Sequence, residues 1–70
     1  MSTLVDLDEL VHRLTDLRRD VAGLRAAAGE LRGQGMQLVA LDLGRALYAL
    51  GSANLALTRA RRYAGLEAAP

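Results

Sequence analysis

Leu10, Leu17, Leu24 and Leu31 recur at intervals of seven residues, with Leu7, Leu14, Val21 and Ala28 in the alternate slots. Spacing that alternates between four and three residues is the pattern of a helix presenting an apolar seam to another helix. Gly33-Gln34-Gly35 interrupts the pattern. A second segment, Met36 to Ala64, is then apolar almost all the way round, as expected of a helix covered on more than one side. The spacing predicts an all-α chain folded as an antiparallel two-helix hairpin. Its first helix spans about 4–32, its turn 33–35 and its second helix about 36–64, with a frayed tail at 65–70.

Composition agrees with helix. Fifteen Leu and thirteen Ala stand against one Pro and no Phe, Trp or Cys, and Leu and Ala are strong helix formers. Thr3 with Asp6 fits a capping box, and Asp6, Asp8 and Glu9 suit the positive end of a helix dipole. Glu9–Arg13 and Asp16–Arg19 have the spacing of surface ion pairs. Gly33 suits a left-handed helix end. The second helix has its own seam of Val39, Leu43, Ala46, Leu50, Ala53, Leu57, Ala60 and Ala64. On its opposite side lie Leu41, Tyr48 and Leu55, seven apart, with Leu47 between the stripes. Gly44 and Gly51, one heptad apart, imply that something packs closely against that helix. Whether the first helix pairs within its own hairpin or between chains stays open from spacing alone.

Seventy residues form one small domain, and chains this short need a staple, a metal or a partner. Without cysteine there is no disulfide and no thiolate metal site. His12 is the sole histidine and reads as a surface residue, so no metal or other cofactor is expected. The carboxylates lie mostly on the outside of one helix, with no apolar pocket to shift them, and no phosphate-binding glycine loop occurs. The chain reads as a non-enzyme with no small-molecule substrate. Arg59, Arg61 and Arg62 complement the end of the second helix dipole. A zipper that reads DNA needs a basic region before its heptads, whereas Asp6, Asp8 and Glu9 stand there. Leu38 to Leu57 has the length of a membrane span, but Asp42, Arg45 and Asn54 interrupt it, and central charges cost about 2.5–3.5 kcal/mol each. Met1 is followed by acidic residues and not by a basic leader, so a cytoplasmic location is expected.

Met1-Ser2-Thr3-Leu4 with Leu7-Asp8-Glu9-Leu10, Leu24-Arg25-Ala26-Ala27 with Leu31, and Arg45-Ala46-Leu47 after the glycine turn resemble the small E-type co-chaperones of type III secretion needles (YscE-, PscE- and SsaE-like proteins). The chain departs from that pattern in a shorter turn and a more apolar stretch after it. The resemblance implies a cytoplasmic hairpin that pairs with a larger helical-repeat chaperone and helps hold a needle subunit before export. The partner-binding residues expected from the residues themselves are Leu41, Leu47, Tyr48 and Leu55, presented to a helical protein or to a second copy of the chain. A homodimeric four-helix bundle is the alternative expectation, and a membrane-associated helix the next.

Overall fold

The computed structural model describes residues 3–68. Two helices account for nearly all of them: α1, Thr3–Glu30, and α2, Gln34–Ala68. The chain is all-α, and the helices pack side by side along their length. Three cross-helix neighbours fix direction and register. Asp8 meets Arg61, Arg18 lies by Gly51 and Arg25 lies by Gly44. Ten residues forward along α1 match ten backward along α2, and the next seven match seven. The packing is therefore antiparallel and keeps one register throughout.

The link between the helices has the three residues expected but lies two residues earlier than 33–35, at Leu31-Arg32-Gly33. Among the described residues only Gly33 has a positive φ, 139°. The Leu31 N–H donates to the Ala28 carbonyl at 3.2 Å and closes the last turn of α1, while the Gln37 N–H donates to the Gly33 carbonyl at 3.1 Å and opens α2. Gly33 thus starts the second helix more than it stops the first. Gly35 keeps an ordinary φ and sits within the first turn of α2. At the far end α2 runs through Gly65 to Ala68, so residues 65–68 are helical where a frayed tail was expected. Positions 69 and 70 of that tail lie outside the described residues. Thr3 is already helical, so it is not the cap that its spacing to Asp6 suggested.

The surface between the helices differs from the expected seam in half of its columns. Leu7, Leu14 and Val21 are half-buried and Ala28 is 7% exposed, the one buried residue described. The slots that alternate with them belong to Leu4, Val11 and Arg18, all half-buried. Leu10, Leu17, Leu24 and Leu31 are between 45% and 61% exposed. On α2, Leu43, Leu50, Leu57 and Ala64 do face α1, but they alternate with Ala40, Leu47 and Asn54. Val39 and Ala53 are exposed, and Ala46 and Ala60 lie on the margin of the contact. The reason is geometric. A helix meets another along a line about two columns wide, and α1 carries apolar residues in three adjacent columns, one of which turns to Arg18 and Arg25 after Val11. The hairpin covers two of them and leaves the third open.

Two helices also enclose little. The structure measures 57 × 16 × 13 Å with a radius of gyration of 16.1 Å, against about 11 Å for a compact domain of this length. Its accessible surface is 5536 Å², against about 4,250 Å² for a compact monomer of this mass. Ion pairs add little to so open a structure. Glu9–Arg13 (2.5 Å), Asp42–Arg45 (3.0 Å) and Asp16–Arg19 (3.8 Å) are all solvent-exposed, a setting in which such pairs contribute at most about 1 kcal/mol.

The two turn glycines make opposite demands. Gly33→Ala forces a Cβ into a positive-φ conformation and should destabilise the chain by about 1 kcal/mol or more. Gly35→Ala has open space around it and should stabilise α2. Thermal unfolding followed by circular dichroism should show the first variant melting below the natural chain and the second above it.

Candidate functional site

Helical spacing divides the surface beside the inter-helix contact into two faces. One carries Leu41, Tyr48 and Leu55 next to Gly44 and Gly51. The other carries Leu10, Leu17, Leu24 and Leu31 next to Val39, Ala46, Ala53 and Ala60.

On the first face, two arginines of α1 lean across onto the two glycines of α2. A Cβ added at Gly44 would lie 3.1 Å from Arg25 Cζ, and one added at Gly51 would lie 3.8 Å from Arg18 Nη2. The glycines leave bare helix backbone on which a guanidinium can rest, while the arginine stems cover apolar surface and keep their charge at the edge. The close neighbour implied by the Gly44/Gly51 spacing is this arginine pair, itself one heptad apart. Matched seven-residue spacing of Arg18–Arg25 and Gly44–Gly51 is the signal in the sequence for it.

Beyond Arg18 a groove of about 460 Å³ is walled by Leu47, Tyr48, Gly51, Ser52, Asn54 and Leu55. Tyr48 stands at its rim, 83% exposed. Leu41 and Leu55 are exposed above and below it in the same column, and the three span about 21 Å of helix. Leu47 is placed differently from the other three expected docking residues. It is half-buried, turned toward α1, and forms a wall of the groove. Asn54 occupies an inter-helix position, and its Oδ1 is out of reach of solvent with no hydrogen-bond donor on it. A lone polar residue in such a seam costs stability and favours one register over its neighbours.

The second face is nearly free of polar atoms at its turn end. There a groove of about 350 Å³ is walled by Leu24, Ala27, Ala28, Leu31, Met36, Val39 and Leu43. Both helices give it large side chains; farther from the turn the α1 edge stays leucine while the α2 edge narrows to Ala46, Ala53 and Ala60.

The remaining candidates are tied into the scaffold. His12 is exposed, and its Nδ1 donates to the Asp8 carbonyl at 2.8 Å. Asp8 pairs through its carboxylate with Arg61 across the helices, an ion pair close in distance but off the N–H direction. Arg61 therefore belongs to the hairpin contact. The last turn of α2 holds no basic residue, because the helix runs beyond the arginines expected to cap its dipole. The Thr15 and Thr58 hydroxyls donate to the carbonyls of Val11 and Asn54. Among the described residues no group of three or more His, Cys, Asp or Glu could hold a metal ion, and no helix is long and apolar enough to cross a membrane. Comparison with models of known protein families, with curated proteins and with solved structures finds no match for this chain.

Replacing Gly51 by Ala places a Cβ at ordinary contact distance from a movable guanidinium and removes the helix penalty of glycine, about 1 kcal/mol. Gly51→Ala should raise the thermal midpoint by several degrees. Gly44→Ala must also displace Arg25, so its gain should be smaller. Asn54→Leu removes an unpartnered buried carbonyl and should also raise the midpoint. Calorimetry of the three variants at one chain concentration checks the order, and a lowered midpoint for Gly51→Ala contradicts the packing described.

Proposed function

We propose that this chain is a non-enzymatic protein-binding module of the cytoplasm, a helical hairpin that docks on a helical protein through Leu41, Tyr48 and Leu55. The exposure of Tyr48 carries the reading. An aromatic ring left 83% open at the middle of an apolar column, above a groove and beside two arginines, has the make-up of an interface anchor, since Tyr and Arg dominate binding hot spots. Anchors at seven-residue spacing suit a partner helix laid along α2. Leu47 would support the groove from below and would not itself be the anchor.

The most concrete form of the reading is a secretion-type co-chaperone, in which the hairpin shields and is shielded by a larger helical-repeat protein. The residues that resemble the E-type co-chaperones support that form. Its physical logic also fits a chain with more apolar helix surface than it can cover alone. No residue acts chemically in such a role. Specificity would come from the placement of the three anchors and of Arg18 and Arg25 beside them.

A pull-down of the tagged chain from its native cytosol should recover a helical-repeat protein in stoichiometric amount. Tyr48→Asp with Leu55→Asp should abolish that recovery, at least tenfold, while the far-ultraviolet circular dichroism stays helical, because both side chains lie outside the hairpin contact. Equal recovery by the natural chain and the double variant would overturn the assignment of this face.

A further inference from the structure

The Leu10–Leu17–Leu24–Leu31 face takes no part in the docking just described, and an inference about it stands without that reading. Its four leucines are each about half exposed, and its α2 edge is the row Val39, Ala46, Ala53 and Ala60, small at every position after Val39. Monomeric proteins rarely leave so continuous an apolar strip open.

Area and shape together specify the cover. The chain exposes about 1,300 Å² more than a compact monomer of its mass. That excess is spread over all sides of the rod, and the roughly 800 Å² per partner that a stable interface removes from water would take up the larger part of it. The strip is also complementary to itself. Turned about a two-fold axis parallel to the helices, the leucine row of one copy falls on the small row of another, in an antiparallel register like that inside the hairpin. Leu10 then meets Ala60, Leu17 meets Ala53, Leu24 meets Ala46 and Leu31 meets Val39. Three leucines find an alanine and Leu31 finds the β-branched Val39 next to the turn, and both rows are used twice, as a two-fold interface requires.

The charges outside the strip fit the same arrangement. The next column of α1 carries Asp6, Arg13 and Asp20, and the next column of α2 carries Asp42, Ala49, Ala56 and Tyr63. In this register Asp6 falls near Tyr63, Arg13 near Ala56 and Asp20 near Ala49, so no like charges meet. The other two-fold stacking, with the turns at opposite ends, sets Leu against Leu and Ala against Ala. It leaves one side crowded and the other hollow, and it brings Asp20 against Asp20.

We propose that this face is covered by a second copy of the chain, forming a four-helix dimer with both turns at the same end and the Tyr48 columns left outside. Light scattering coupled to size exclusion should give twice the 7.5 kDa chain mass. Ala53→Arg keeps a strong helix former at a site exposed in the hairpin and should halve that mass with helicity retained. Leu17→Glu with Leu24→Glu should do the same, providing a second variant should the first misfold. Tyr48→Asp with Leu55→Asp should leave the dimer intact. Under oxidation, Leu17→Cys mixed with Ala53→Cys should cross-link. A natural chain running at one chain mass, or a dimer that survives both face variants, overturns the proposal. So does cross-linking of Leu17→Cys with Leu24→Cys in place of the Leu17–Ala53 pair.

Discussion

Two helices touch along a line, and a line cannot enclose a core. The other features of this structure follow from that constraint. α1 presents apolar residues in three adjacent columns and α2 is apolar over most of its circumference, yet Ala28, at 7% exposed, is the one buried hydrophobic residue among those described. The molecule is a rod one helix pair thick. Burying apolar surface is the main favourable term in folding. A chain that leaves much of that surface in water should therefore be marginal until another surface is added.

Within the rod, polar groups are arranged to hold one register. Arg18 and Arg25 rest over Gly51 and Gly44, Asp8 pairs with Arg61, and Asn54 sits where an aliphatic residue would pack more tightly. The Asp8–Arg61 pair is partly solvated and so is not strong alone, and Asn54 acts through the cost of an unpartnered oxygen and not through a contact. Together they penalise a slip by one heptad. A shift by seven residues would leave one arginine against a side chain where it now meets bare backbone, and would separate the Asp8–Arg61 pair. In a hairpin built from repeating Leu and Ala, where neighbouring registers bury similar area, such groups distinguish one alignment from the next.

The hairpin was legible in the sequence because the heptad spacing and the glycine break are both local signals. Which columns the helices share was not. On α1 the columns 7/14/21/28 and 10/17/24/31 are apolar throughout, whereas 4/11 continues into Arg18 and Arg25. Periodicity therefore points to the first two. The contact takes the arginine-bearing column instead, because its guanidinium groups rest on Gly51 and Gly44. Leu7, Leu14 and Val21 belong to the contact in any case, whereas the Leu10 column falls outside it. Helix ends were misplaced for a related reason. Gly35 and Gly65 look like breaks, but a glycine with ordinary φ and tertiary support stays helical, and only Gly33 needs a backbone that other residues avoid. At the candidate site, Leu41, Tyr48 and Leu55 lie together in one exposed column, while Leu47 sits below them. The arginines beside that column could have been found by matching the spacing of Arg18–Arg25 to that of Gly44–Gly51.

The open leucine face and the open tyrosine column lie on different sides of the rod. One hairpin therefore has room for a second copy and a different partner at once, and covering the first would make the second a rigid, preformed surface. The central claim is that the lone hairpin is incomplete. The most direct test is the thermal unfolding midpoint of the purified chain, measured by circular dichroism over a wide range of chain concentration. The account predicts a midpoint that climbs with concentration, as mass action requires when association stabilises the fold. A single midpoint, the same at every concentration, would contradict it.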